Sequence, residues 1–151
     1  MLVHNQQNLI ECGVGNNFTD DELVDAANEI NRAQYGDKWY GKMNPISVTV
    51  PENGMVIISK NNGVPGPKSR AKAHEIFGED VIFVRGGKTT NYDVNRWGNS
   101  TEGPNHAEAR AFQYMETHNI PLTNARQATS LISCKDCSDL QQKYRVRNIS
   151  G

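Results

Sequence analysis

Four residues in this chain are of the types that hold a metal ion and use it. His106 and Glu108 stand two apart in Asn105-His106-Ala107-Glu108, and Cys134 and Cys137 bracket Lys135-Asp136 further on. One imidazole and two thiolates are borderline-to-soft donors of the kind zinc takes, and three protein ligands leave its fourth tetrahedral position for water. If the first pair opens a helix, Glu108 can point toward that open side without ligating the ion, so a proton acceptor stands beside an activated water. Two cysteines three apart at a helix start can converge on one ion, and the positive end of the helix stabilises their thiolates. Each residue alone has a plainer reading. Glu108, three positions after Asn105, completes a capping box; His106 is a surface histidine; Cys-x-x-Cys suits a thiol redox centre, although that motif belongs near the start of a thioredoxin-like chain. Their conjunction favours metal chemistry.

His-x-Glu followed by Cys-x-x-Cys resembles the signature of the zinc-dependent cytidine deaminase-like superfamily. Ser133 stands before the first cysteine where that family usually has a proline. Enzymes acting on free nucleosides and on transfer RNA generally keep the proline, so the chain is most similar to the deaminase toxin domains of bacterial polymorphic toxins. The resemblance implies one Zn2+ per chain held by His106, Cys134 and Cys137, with Glu108 as the catalytic residue. Glu108 would take a proton from the water that attacks C4 of cytosine, or C6 of adenine, and pass protons to the ring and the departing ammonia. The same resemblance implies a three-layer α/β/α sandwich with a central mixed sheet of about five strands. It also implies a polar residue at the end of the second strand that contacts the target nucleotide's sugar; Asn61 takes that place, and Asn62 is nearly as good. A cognate immunity protein covering the site, and action in the cytoplasm of a target bacterium during interbacterial competition, follow from the same family habit.

These residues need elements to position them. Residues 1–17 show no sustained period and read as an extended arm. Thr19 with Glu22 has capping-box spacing, and Leu23, Val24, Ala26, Ala27 and Ile30 give an apolar helix face ending near Gly36. Ile46 to Val50, a turn at Pro51 to Gly54 and Met55 to Lys60 make a β-hairpin. Residues 61–105 form an insertion: a loop through Pro67, a short basic helix from Ser69 to Phe77, a strand from Asp80 to Arg85, and a long loop holding Tyr92 and Trp97 beside Lys88 and Arg96. Loops of that length in compact domains are commonly functional, and aromatics beside cations stack exposed bases; the plainer role for Trp97 is to pack the loop on the core. A helix from His106 to about His118, capped by Asn105, would lay Ala109, Phe112 and Met115 or Tyr114 on the sheet. A strand from Ala128 to Ile132, a helix from Ser138 to Tyr144 and a last strand from Arg145 to Ile149 complete the chain.

With 151 residues, 36% hydrophobic and 22% charged, the chain suits a single domain with one core. No run of 18 or more apolar residues occurs, and the first residues lack the basic start and apolar stretch of a signal peptide. No membrane partner is expected, while export as part of a longer effector stays open. Three cysteines, two at metal-ligand spacing, argue against a disulfide framework. Cys12 reads as a small buried apolar residue, and His4, His74 and His118 as structural. The net charge of −1 hides an asymmetry: residues 1–30 hold six carboxylates and no lysine or arginine, so the remainder is net basic. That suits a nucleic-acid surface and ordinary solvated charge about equally; within the deaminase reading the expected partner is nucleic acid, single-stranded DNA over RNA. The alternatives are a deaminase of RNA, adenine or free nucleosides, and a non-catalytic zinc-binding interaction module in which Cys12 or His118 closes the coordination sphere.

Overall fold

The computed structural model describes residues 13–36, 45–61, 63–85, 106–130, 138 and 141–150. Three α-helices among them are α1 (Asp20–Tyr35), α2 (Pro67–Phe77) and α3 (Ala107–Thr117); the strands are β1 (Ile46–Val50), β2 (Val56–Lys60), β3 (Val81–Phe83), β4 (Arg126–Thr129) and β5 (Arg147–Asn148). The strands form one mixed sheet in the order β3-β2-β1-β4-β5. β1 runs antiparallel to both β2 and β4, and each edge strand runs parallel to its neighbour.

Alternation along the strands sorts the sheet into two faces. Ile46, Val48, Val50, Val56, Ile58, Val81 and Ala128 pack against Leu23, Ala26, Ala27 and Ile30 of α1 and Ala73 and Phe77 of α2. On the other face Ile57 and Val84 meet Ala109, Ala111, Phe112 and Met115 of α3. Helices therefore cover both faces, an α/β sandwich, and β1 is buried along its whole length. None of the helices among the described residues is long and apolar enough to cross a membrane.

The first helix forms as its sequence suggests. Thr19 Oγ1 accepts from the Glu22 N–H at 3.2 Å while Glu22 Oε1 accepts from the Thr19 N–H at 2.9 Å, and Gly36, at φ 76°, ends the helix. The hairpin turn closes by a bond from Gly54 N–H to Pro51 O, 2.9 Å. Gly54 has φ 82°, and a Cβ there would stand 2.5 Å from the Gly13 nitrogen, so this glycine serves both the turn and the close approach of residue 13.

Several boundaries differ from expectation. In place of an extended arm up to residue 17, Val14–Asn17 form a 3-10 helix docked on the hairpin turn; residues 1–12 lie outside the described residues. α2 starts at Pro67 rather than Ser69, because proline at the first helical position gives up no helical hydrogen bond. β4 covers Arg126–Thr129 and so begins at Arg126 rather than Ala128, because pairing with β1 runs from Val50↔Arg126 to Ser47↔Thr129; residues 131 and 132 lie outside the described residues. β5 begins at Arg147 because Arg145 is left-handed, φ 59°.

Arg126 ties the start of α1 to the sheet. Its guanidinium donates to Gly15 O at 2.9 Å, Phe18 O at 2.8 Å and Asp20 Oδ1 at 3.0 Å, while Arg147 reaches Asp20 Oδ2 at 2.7 Å. The Arg126 hydrogen bond first, and the Arg147 charge after it, hold the Asp20 carboxyl below the usual aspartate value against the opposing cost of desolvation. A folded-state pKa below the unfolded one stabilises the fold above the unfolded pKa, and that contribution disappears as pH falls through the folded pKa. Asp20→Asn should therefore lose part of the fall in stability seen below about pH 4, as measured by urea midpoints from neutral to acid pH, and solvent screening keeps the effect small.

Candidate active site

α3 carries His106 and Glu108 at its start, and the sheet fixes that start in place. His106 is the N-cap, extended at φ −69° and ψ 151°, so Glu108 falls at the second helical position. The register expected from Asn105, with Glu108 at the third position of a capping box, does not apply; Asn105 itself lies outside the described residues. The cap comes from another element. Asn61, just past the end of β2, accepts the Ala107 N–H on Oδ1 at 2.7 Å, which satisfies one of the orphan donors of the helix's first turn.

Two further side chains hold the carbonyls of this turn. Ser59 Oγ donates to Ala107 O at 2.6 Å, and Gln127 Nε2 donates to Glu108 O at 3.4 Å. Both residues are fully buried. They belong to a polar layer on the α3 side of the sheet that follows the strand register. Ser47 and Thr129, cross-strand partners, bond at 2.8 Å; Thr49 and Gln127, the next pair, also bond at 2.8 Å. Gln141, in the helical residues 141–143, donates to Gln127 Oε1 at 2.8 Å. Buried polar groups of this kind are stable only when bonded, and here the bonds run from β1 and β4 to α3 and to the chain beyond Cys137.

Glu108 is 4% exposed. Its position in the first turn places a carboxylate at the positive end of the helix. Arg110, two residues on, is buried with its Nη2 donating to Gly63 O at 2.9 Å, and burial lowers the pKa of its guanidinium from the ordinary value. Asn61→Ala should cost about 1 kcal/mol of stability, the usual effect of losing a helix cap. The expected accompanying sign is faster amide exchange at Ala107 than in the wild type, read by hydrogen-deuterium exchange.

The two halves of the expected zinc set are unequally described. His106 is partly exposed at the helix start, whereas Cys134 and Cys137 lie outside the described residues, as do Cys12, His4, Asn62, Tyr92 and Trp97. Among the described residues no three His, Cys, Asp or Glu side chains gather as a metal site. His118, considered as a fourth ligand, terminates α3 at the end away from His106, about 18 Å along the helix axis. Its Nδ1 bonds Tyr114 O at 2.8 Å and its ring stacks on Tyr114 at 4.0 Å between centroids, so it cannot share an ion with His106. His74 is structural, with Nδ1 on Gly78 O at 3.0 Å and its ring edge-on to Phe83.

Among the described residues, the basic side chains do not form one surface around Glu108. α2 lies with α1 on the sheet face opposite α3. On it Lys72 pairs with Glu75 at 3.1 Å and Arg70 donates to Pro65 O, and Arg147 is engaged by Asp20. A cavity of about 160 Å³ beside the later turns of α3 is lined by Val84, Arg85, Arg110, Tyr114 and His118 among others; it is smaller than typical ligand pockets and does not include Glu108.

Ser59, Gln127 and Gln141 were not foreseen from the sequence. Ser59 alternates with Ile58 in a strand and so was legible as a residue of the α3 face, but the partners of Gln127 and Gln141 depend on pairing between distant strands. Comparison of the chain with protein-family models, curated proteins and solved structures gives no match.

Proposed function

We propose that this chain is a zinc-dependent hydrolytic deaminase that converts cytosine to uracil in single-stranded DNA, as the toxin domain of a bacterial effector. The observation that carries the reading is the helix start: a histidine at the N-cap and a nearly buried glutamate two residues on, with the turn pinned to the sheet by Asn61, Ser59 and Gln127. The donor set His106, Cys134 and Cys137 fits zinc by its chemistry, one imidazole and two thiolates with a position left for solvent. Bound zinc supplies Lewis acidity that brings the pKa of a water molecule toward neutrality.

The chain's own residues do the rest. Glu108 accepts the proton of the water that attacks C4 of cytosine, its low exposure keeping bulk solvent from competing for that proton. It delivers that proton to ring N3, then takes the proton of the hydroxyl newly bonded to C4 and passes it to the amine, which leaves as ammonia as the C4–N bond breaks and the C4 carbonyl forms. The carbonyl oxygen of Asn61 is committed to Ala107, so its Nδ2 is the donor this reading assigns to a sugar oxygen of the target nucleotide. Tyr92 and Trp97 of the 61–105 insertion are assigned to stacking on neighbouring bases. A polymer substrate suits the basic excess after residue 30, and a single strand spares the enzyme the work of unstacking and unpairing. In the same reading a cognate immunity protein covers the site in the producing cell, and the toxin acts in the cytoplasm of its target.

The test is to incubate the zinc-loaded chain with cytosine-containing single-stranded DNA, RNA and mononucleosides and to sequence or chromatograph the products. Uracil in the DNA is the expected result. Inosine, or mononucleosides turned over as fast as polymer, moves the substrate to adenine or the free nucleoside. No conversion of any of them rejects the deaminase.

A further inference from the structure

The geometry points to a binding site for a single phosphate group in the cavity beside the later turns of α3, apart from Glu108 and independent of the zinc reading. Arg110, Gln113, Tyr114, Thr117 and His118 recur at three- and four-residue steps and so share one stripe of the helix. Phe112 and Met115, which pack on the sheet, belong to another. Just past the edge strand β3, Val84 and Arg85 supply the facing wall, fixed by the bond from Val84 N–H to Ile58 O at 2.9 Å. Val84 and Arg110 are buried, whereas Arg85, Thr117 and His118 are exposed. The cavity therefore has a buried floor and a rim open to solvent.

Two guanidinium groups and an imidazole line this space of about 160 Å³, and among the described residues no carboxylate lines it. Arg110 is 1% exposed, and desolvation lowers its pKa, so its charge is kept at a cost that an anion in the cavity would offset. Its Nη2 is held on Gly63 O at 2.9 Å, which sets the plane of the fork before a ligand arrives; a guanidinium so placed matches phosphate oxygens in pairs. On the helix side Gln113 Nε2 donates to Thr117 Oγ1 at 3.5 Å, leaving the hydroxyl proton of Thr117 for an acceptor. Size narrows the ligand further. A base with its sugar needs a larger pocket, whereas the space of roughly five waters, at about 30 Å³ each, suits a tetrahedral oxyanion with part of its hydration. Donors converging from floor, wall and helix fit a tetrahedron better than a planar carboxylate.

Backbone amide shifts of residues 84, 85 and 113–118 in the full chain, followed by two-dimensional NMR at constant ionic strength, give the test. Inorganic phosphate, acetate or a thymine-only single strand of DNA is added, the last offering no base to deaminate. Saturable shifts with phosphate and none with acetate are expected. Arg85→Ala and Arg110→Met should each weaken phosphate binding by about 10-fold or more, while Lys72→Ala, which removes a charge from α2 on the opposite face of the sheet, leaves it unchanged. If Arg110→Met does not fold, Arg85→Glu takes its place. A strand that moves the same amides and weakens in the arginine variants identifies the phosphate as that of a nucleic-acid backbone; inorganic phosphate acting alone identifies a free phosphate or monoester. Phosphate and strand that both leave these amides unmoved, acetate that moves them equally, or losses no larger in the arginine variants than in Lys72→Ala would overturn the site, whatever the outcome for zinc and deamination.

Discussion

Glu108→Gln is expected, under the proposed deaminase function, to slow cytosine deamination in single-stranded DNA by about 10²- to 10⁴-fold, the usual contribution of a positioned acid-base group, or about 3–5 kcal/mol of barrier. Glutamine keeps the volume and shape of the side chain at a position 4% exposed, and Asn61, Ser59 and Gln127 bond the backbone of the turn. What glutamine lacks is a group that can accept the water's proton and later give it up. The variant should keep its zinc and its circular dichroism spectrum, so the loss is confined to the chemical step. Uracil formation on the same oligonucleotide, normalised to bound zinc, is the measurement. Activity within a few-fold of wild type would assign the proton transfer to another residue.

Phe112→Ala should lower stability by about 3–5 kcal/mol, the range for emptying a buried aromatic site. Phe112 is 0% exposed and sits with Ala109, Ala111 and Met115 between α3 and Ile57 of the sheet. Its helical neighbours at 109 and 111 are alanines, too short to fill the space, so little collapse can recover the lost contacts. For a chain of this size the melting temperature should fall by roughly 10 °C, a large part of the total stability of an ordinary domain. Urea denaturation gives the free energy directly. A loss below about 1 kcal/mol would mean that the site relaxes around the smaller side chain and that the polar contacts at the helix start hold α3 more than its apolar face does.

Both predictions depend on how α3 is held, and the two kinds of contact do different work. Apolar packing of Phe112 and Met115 fixes the helix against the sheet without specifying its rotation or sliding to better than a rotamer. The directional bonds at Ala107 and Glu108 specify them. Placing the polar layer beneath the first turn, and the apolar contacts beneath the later ones, puts the more exacting geometry where the chemistry would be.

How much of this was legible in advance varies by element. Thr19 and Glu22 announce α1 because a capping box is written within four consecutive residues. The hairpin is equally plain from β-branched residues on either side of Pro51-Glu-Asn-Gly54. The pair His106 and Glu108 stands out as a candidate through side-chain type and spacing, and Phe112 and Met115 are legible as core through helical period. The capping of α3 was misassigned to Asn105 because local sequence offers that residue first, whereas the bond comes from Asn61, 46 positions earlier.

The sequence by itself determined the elements whose signals are short-range: α1, the β1–β2 hairpin, α3 with its buried face, and the identity of the residues able to bind a metal or move a proton. Only the tertiary structure decided that β4 pairs with β1 from Val50↔Arg126 to Ser47↔Thr129, that Asn61 caps α3, and that Gln127 meets Thr49, Glu108 and Gln141. The reason is register: a shift of one residue in β4 would turn Gln127 to the opposite face of the sheet. Nothing in the local sequence around residue 127 specifies which strand it will lie beside.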